Sequence, residues 1–66
     1  MEEISIEVDG MKYIGMLKIT GVRKLRFTVS YDGREKTDAK DYRKDQIGYL
    51  KSVAQHILWE MVSGRL

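Results

Sequence analysis

A chain of 66 residues with 12 basic and 10 acidic side chains, a net charge of +2 and no cysteine has room for one small domain. Such a chain buries only about 60% of its unfolded surface, so we expect modest stability. Without cysteine it has no disulfide, and with a single histidine we expect no metal centre that would stabilise the fold further. The ordinary apolar fraction excludes a disordered chain, and no apolar run approaches the roughly 18 residues of a membrane span.

The N-terminus, Met1-Glu2-Glu3, has no apolar segment of the signal-peptide kind. We therefore expect a cytoplasmic protein in which residues 1–66 form one domain, with no cofactor and no membrane contact. Self-association is the remaining common way in which so small a fold gains stability.

The first third of the chain predicts a β-hairpin. Apolar and polar residues alternate before and after the pair Asp9-Gly10, and this pair favours a tight two-residue turn. We expect strands near residues 3–9 and 11–20, with Glu7 opposite Lys12, a favourable pair across the strands.

The next segment predicts a third strand over residues 25–31, where alternation is clearest, and a second turn at Asp32-Gly33. A short fourth strand over 34–37 is possible, but it is polar on both faces. Residues 38–45 are highly charged, and we expect a turn or a loose helical lead-in there.

The last third predicts a helix over about residues 45–63. Asp45 is placed to cap its first amides, and Gly64 is placed to end it in the left-handed conformation. Apolar residues spaced three and four apart form the stripe that should face the core: Ile47, Leu50, Ala54, Ile57 and Met61.

These elements predict an α+β fold, a three- to four-stranded antiparallel meander packed on one C-terminal helix as a two-layer sandwich. The sheet face expected to cover the helix carries Ile4, Ile6, Val8, Tyr13, Leu17, Ile19, Phe27 and Val29.

A second helical stripe, nearly opposite the first, is the strongest functional signal. Tryptophan and tyrosine are enriched in protein interfaces, and little formal charge interrupts this segment. The leading hypothesis is a non-enzymatic interaction module that forms a homodimer or docks on a protein partner through the helix. The predicted interface comprises Tyr49, Ser52, His56, Leu58, Trp59 and Val62.

The alternative hypothesis is a nucleic-acid-binding domain that uses the outer face of the sheet. Cations neutralise phosphates, and hydroxyl groups interleaved with them could fix the register. The predicted contacts are Lys12, Lys18, Arg23, Lys24 and Arg26. Glu3 and Glu7 on the same face oppose this interpretation.

Enzyme signatures are missing, and no small-molecule substrate is indicated. Ser52, His56 and Glu60 are spaced four apart and could form a catalytic line, but this spacing is weak evidence, and three polar residues on the less buried side of a helix explain them better. Acidic residues at 38, 41 and 45 could suggest an oxygen-ligand metal site, but the cations interleaved among them oppose it.

Overall fold

A computed structural model describes residues 1–65 as a four-stranded antiparallel sheet, in the order β1-β2-β3-β4, packed against one helix. The predicted α+β meander with a C-terminal helix is therefore confirmed, and the short fourth strand is present. The elements are β1 (Glu2–Val8), β2 (Met11–Thr20), β3 (Arg26–Tyr31), β4 (Arg34–Thr37), a 3-10 turn (Lys44–Gln46) and α1 (Ile47–Val62).

Two Asp-Gly pairs close the hairpins. Both residues of each pair have positive φ, 51° and 78° at Asp9-Gly10 and 52° and 77° at Asp32-Gly33, which is the type I′ geometry that matches the twist of the strands. The resulting register places Glu7 opposite Lys12, as predicted.

The core lies between the sheet and one side of α1. The largest fully buried side chains come from both layers: Leu17, Phe27, Val29, Leu50 and Leu58. Ile4 is buried as well, whereas Ile6, Val8, Tyr13 and Ile19 of the predicted inner face are only half-buried.

Two assignments on the helix were wrong. Ile47, predicted to face the core, is 44% exposed, and Leu58, predicted to flank the interface, is fully buried. Gly15 on β2 has no side chain, and Leu58 fills the space above it. Tyr42, from the loop before the helix, is a buried member of the core that the sequence did not predict.

The segment before the helix is anchored more firmly than a loose lead-in. Leu25 and Tyr42 exchange two backbone hydrogen bonds of 2.7 and 2.8 Å, which attach the loop to the end of β3. The Tyr42 ring lies 5.8 Å from that of Phe27, and its hydroxyl donates to Asp38 Oδ2 over 2.7 Å. This loop therefore contributes a buried aromatic side chain to the core.

The capping of α1 differs from the prediction at the N-terminus and agrees with it at the C-terminus. Asp45 is not the cap that we predicted, because it lies inside the 3-10 turn, where Gln46 Oε1 accepts the Arg43 amide over 2.9 Å. At the C-terminus, Gly64 has a φ of 73° and the Arg65 amide donates to the Glu60 carbonyl over 2.8 Å, as in a Schellman motif. The predicted role of Gly64 is confirmed.

Candidate functional site

The side of α1 that faces away from the sheet carries four residues that we call the outer helix stripe: Tyr49, Ser52, His56 and Trp59. Their spacing of three, four and three places them in one row, because residues three and four apart are neighbours on a helix. Leu50, Ala54, Ile57 and Met61 occupy the buried side. The two sides of the helix are thus divided as the sequence predicted for these eight positions.

Trp59 lies at the C-terminal end of the outer helix stripe and is half-buried. The His56 ring stacks on the indole with centroids 5.9 Å apart and planes 20° apart. The Arg65 guanidinium lies 5.2 Å from the indole centroid, within the range of a cation–π contact. These contacts hold a flat aromatic surface at the protein exterior.

Tyr49 lies at the other end of the stripe and is 56% exposed. It is the outermost member of an aromatic row that begins in the core with Phe27 and continues through Tyr42, whose ring centroid is 5.9 Å from that of Tyr49. The Lys40 ammonium group lies 5.4 Å from the Tyr49 centroid. The core thus supports the exposed Tyr49 ring through this row of aromatic side chains.

Tyr42, in the middle of that row, is chemically distinct from an exposed tyrosine. Burial, together with the hydrogen bond to Asp38, raises the pKa of Tyr42 to about 12. Its hydroxyl therefore stays protonated to a higher pH than that of an exposed tyrosine.

The centre of the stripe does not assemble the catalytic line that its spacing permits. The Ser52 hydroxyl donates to the Gly48 carbonyl over 3.3 Å, back along the helix. His56 Nε2 lies 3.6 Å from Glu60 Oε1, so the imidazole is directed to the carboxylate and not to the serine. Nothing in this arrangement activates the hydroxyl as a nucleophile.

Of the two flanking residues predicted for the interface, the structure places neither on the stripe. Leu58 belongs to the core, and Val62 is half-buried and packs against the core. Both positions are offset around the helix toward β1, the strand that Gln55 and Lys51 also contact. The exposed surface on this helix is therefore narrower than the sequence suggested.

The five cations predicted for nucleic-acid binding do not form one uncompensated surface. Arg26 Nε lies 2.7 Å from Asp41 Oδ1, and this contact lowers the pKa of Asp41 below its usual range. The positive charge of Lys24 also lowers the pKa of Asp41. Lys12 faces Glu7 across the hairpin.

The two remaining cations, Lys18 and Arg23, are exposed on β2 and in the turn after it, and neither forms an ion pair within residues 1–65. They are the part of the predicted basic surface that the fold leaves uncompensated.

The acidic residues between β4 and α1 are each bound to a different group. Asp38 accepts the Tyr42 hydroxyl, Asp41 pairs with Arg26, and Asp45 pairs with Arg43 over 3.1 Å. Among the described residues, no three potential ligands of the His, Cys, Asp or Glu type lie close enough together to hold a metal ion. In the same part of the chain, no helix has the length and apolar character needed to span a bilayer.

Comparison of the chain with protein-family models, with curated proteins and with solved structures gave no match.

The sequence did not reveal that Tyr42 supports Tyr49. Tyr42 is the one aromatic residue in the highly charged segment 38–45 and follows no helical or strand periodicity with its neighbours. The only local signal was an aromatic residue flanked by charges, a pattern that fits an exposed position equally well.

Proposed function

We propose that this chain is a small interaction module that associates with a second copy of itself through the outer helix stripe. The observation that carries the proposal is the arrangement of the stripe: two aromatic side chains at its ends, and none of its four members formally charged at neutral pH with histidine uncharged. Aromatic anchors with depleted charge are typical of the centre of protein interfaces.

Self-complementarity favours a second copy as the partner. If two helices pair antiparallel about a two-fold axis level with residue 54, Trp59 of one copy lies opposite Tyr49 of the other, and His56 lies opposite Ser52. Each aromatic ring then meets another aromatic ring, and none of the four opposed stripe residues carries a formal charge when histidine is neutral. A dimer also buries surface that a chain of this size cannot bury alone.

The rigidity of the stripe supports the same proposal. Tyr49 is held by Tyr42 and Lys40, and Trp59 by His56 and Arg65. Side chains already held in place lose little entropy on association, so more of the contact energy remains as affinity.

Sedimentation equilibrium tests this proposal. The wild-type protein is expected to shift from the mass of one chain to that of two as its concentration rises. Trp59→Glu, which replaces one of the two aromatic anchors of the contact by a charge, is expected to remain a single chain at all concentrations.

Val22→Glu is the matched control. Val22 is 74% exposed in the turn between β2 and β3, so this variant makes the same change in charge on another apolar surface residue. It is expected to dimerise as the wild type does. A wild type that remains a single chain at high concentration contradicts the proposal, and so does equal weakening by both variants.

Nucleic-acid binding remains the second candidate because Lys18 and Arg23 are exposed and form no ion pair within residues 1–65. Two uncompensated cations predict weak binding with a shallow salt dependence, since each phosphate contact contributes about one unit of slope. A titration of labelled DNA and RNA at low salt distinguishes the two functions, because Lys18→Gln would affect only the nucleic-acid complex and Trp59→Glu only the dimer.

A further inference from the structure

A second surface, distinct from the outer helix stripe, lies along β1. This strand forms one edge of the sheet and is seven residues long, whereas β4 at the opposite edge has four. An edge strand presents backbone donors and acceptors that no neighbouring strand satisfies, and such edges can take up an added strand.

The hairpin geometry identifies which groups are presented. Val8 and Met11 flank a two-residue turn and therefore form a hydrogen-bonded pair, so the even-numbered residues of β1 bond to β2. The amides and carbonyls of Glu3, Ser5 and Glu7 consequently point away from the sheet.

One of these outward groups is already bound by a donor from outside the sheet. Gln55 Nε2, from α1, donates to the Ser5 carbonyl over 3.3 Å. This contact is independent support for the assigned direction of the Ser5 carbonyl. The long distance and the exposed setting make it a bond that a better-aligned donor can replace.

The side chains of the same three residues define what the edge would accept. Glu3, Ser5 and Glu7 lie on the outer face of the sheet, where Glu3 is opposite Met16 and Glu7 is opposite Lys12. Neither glutamate forms an ion pair within residues 1–65, so both carboxylates can contact an added strand. The alternate residues Ile4, Ile6 and Val8 lie on the inner face. An added strand would meet negative charge on one face and apolar side chains on the other.

These charges argue against pairing of β1 with its own copy. A two-fold pair centred on Ser5 would place Glu3 of each chain opposite Glu7 of the other, and like charges directly opposed destabilise a sheet. The edge therefore suits a strand of opposite charge.

We infer that the β1 edge binds an extended basic segment of a partner protein by antiparallel strand addition. The segment carries lysine or arginine at alternate positions facing Glu3 and Glu7 and apolar residues between them. Its amides take the place of Gln55 at the Ser5 carbonyl.

A peptide as long as β1, alternating lysine with valine, is the probe, and NMR of labelled wild-type protein is the measurement. The peptide is expected to shift the amide signals of Glu3, Ser5 and Glu7 and to slow hydrogen exchange at the Ser5 amide. A peptide that alternates glutamate with valine is expected to do neither.

N-methylation separates strand addition from attraction between charges alone. In antiparallel pairing the lysine amides face β1 and the valine amides face away. Methylation of the lysine amides should abolish protection of Ser5, whereas methylation of the valine amides should preserve it. Equal binding by both methylated peptides overturns the inference, and so does the absence of any shift with the unmodified peptide.

Two protein variants give opposite shifts in affinity. Gln55→Ala frees the Ser5 carbonyl and should tighten peptide binding by about threefold to tenfold. Glu3→Gln combined with Glu7→Gln should weaken it by about threefold to tenfold at low salt. Unchanged affinity in both variants, or protection of Ser5 through a dimer that forms without peptide, contradicts the inference.

Discussion

Leu58 packs directly on Gly15, and the absence of a side chain at Gly15 makes this contact possible. A Cβ atom added at Gly15 would lie 2.8 Å from Leu58 Cδ1 and 3.0 Å from the Ser30 carbonyl oxygen. The helix therefore packs closely on the sheet at this position, and the nearby β3 backbone limits any relaxation.

Gly15→Ala is accordingly expected to lower the free energy of unfolding by about 1–3 kcal/mol, the usual effect of overpacking a core. Gly48→Ala is the matched control, since nothing lies within 4 Å of an added Cβ there and alanine favours a helix by up to about 1 kcal/mol. Urea denaturation followed by circular dichroism measures both. If the two substitutions change the free energy of unfolding equally, Gly15 and Leu58 are not in close contact.

The division of α1 into two sides predicts unequal losses from truncation. Leu50→Ala removes a fully buried side chain and should lower the free energy of unfolding by about 2–5 kcal/mol. Trp59→Ala removes a larger but half-buried side chain and should cost less than half as much in the monomer. Urea denaturation at protein concentrations too low for dimerisation measures both free energies of unfolding. Equal losses in the two variants would mean that Trp59 belongs to the core.

Tyr42 predicts a loss of stability at alkaline pH. Its pKa is about 12 in the folded chain against 10.0 when unperturbed, so above pH 10 the unfolded state releases the proton first. The stabilising contribution is complete below pH 10 and decreases between pH 10 and 12, by at most about 1.4 kcal/mol per pH unit.

Tyr42→Phe separates this effect from the titration of other groups, because it removes the one proton and keeps the ring. Its starting stability should be lower, since Asp38 loses a hydrogen bond, but its decline over the same pH range should be shallower. Parallel pH profiles for the two proteins would contradict the assignment to Tyr42.

Two-residue turns and glycine helix ends are determined by short local sequence patterns. Both hairpins and the Gly64 helix end were predictable because Asp-Gly turns and left-handed glycine caps are local signals, and both turns were observed. The register of β1 and β2 followed from the first turn, since a two-residue loop places Val8 opposite Met11 and therefore Glu7 opposite Lys12.

The incorrect predictions concern side chains whose burial depends on contacts between residues that are distant in the sequence. Leu58 is buried because Gly15, 43 positions earlier, leaves room for it, and helical spacing alone does not contain that information. Tyr42 reaches the core because its backbone pairs with Leu25, a contact that the local charge pattern conceals. Of the predicted site, the four residues of the outer helix stripe could be read from periodicity, whereas the aromatic support behind Tyr49 could not.

The most direct test of the central claim is the fluorescence of the single tryptophan over a dilution series. Sedimentation reports whether the chain associates, whereas Trp59 emission reports whether the outer helix stripe is the surface involved. We expect the emission to move to shorter wavelength as the protein is concentrated, in step with the increase in mass, because the half-exposed indole loses water in the dimer. Emission that stays constant while the mass doubles would show that another surface forms the contact and would contradict the account.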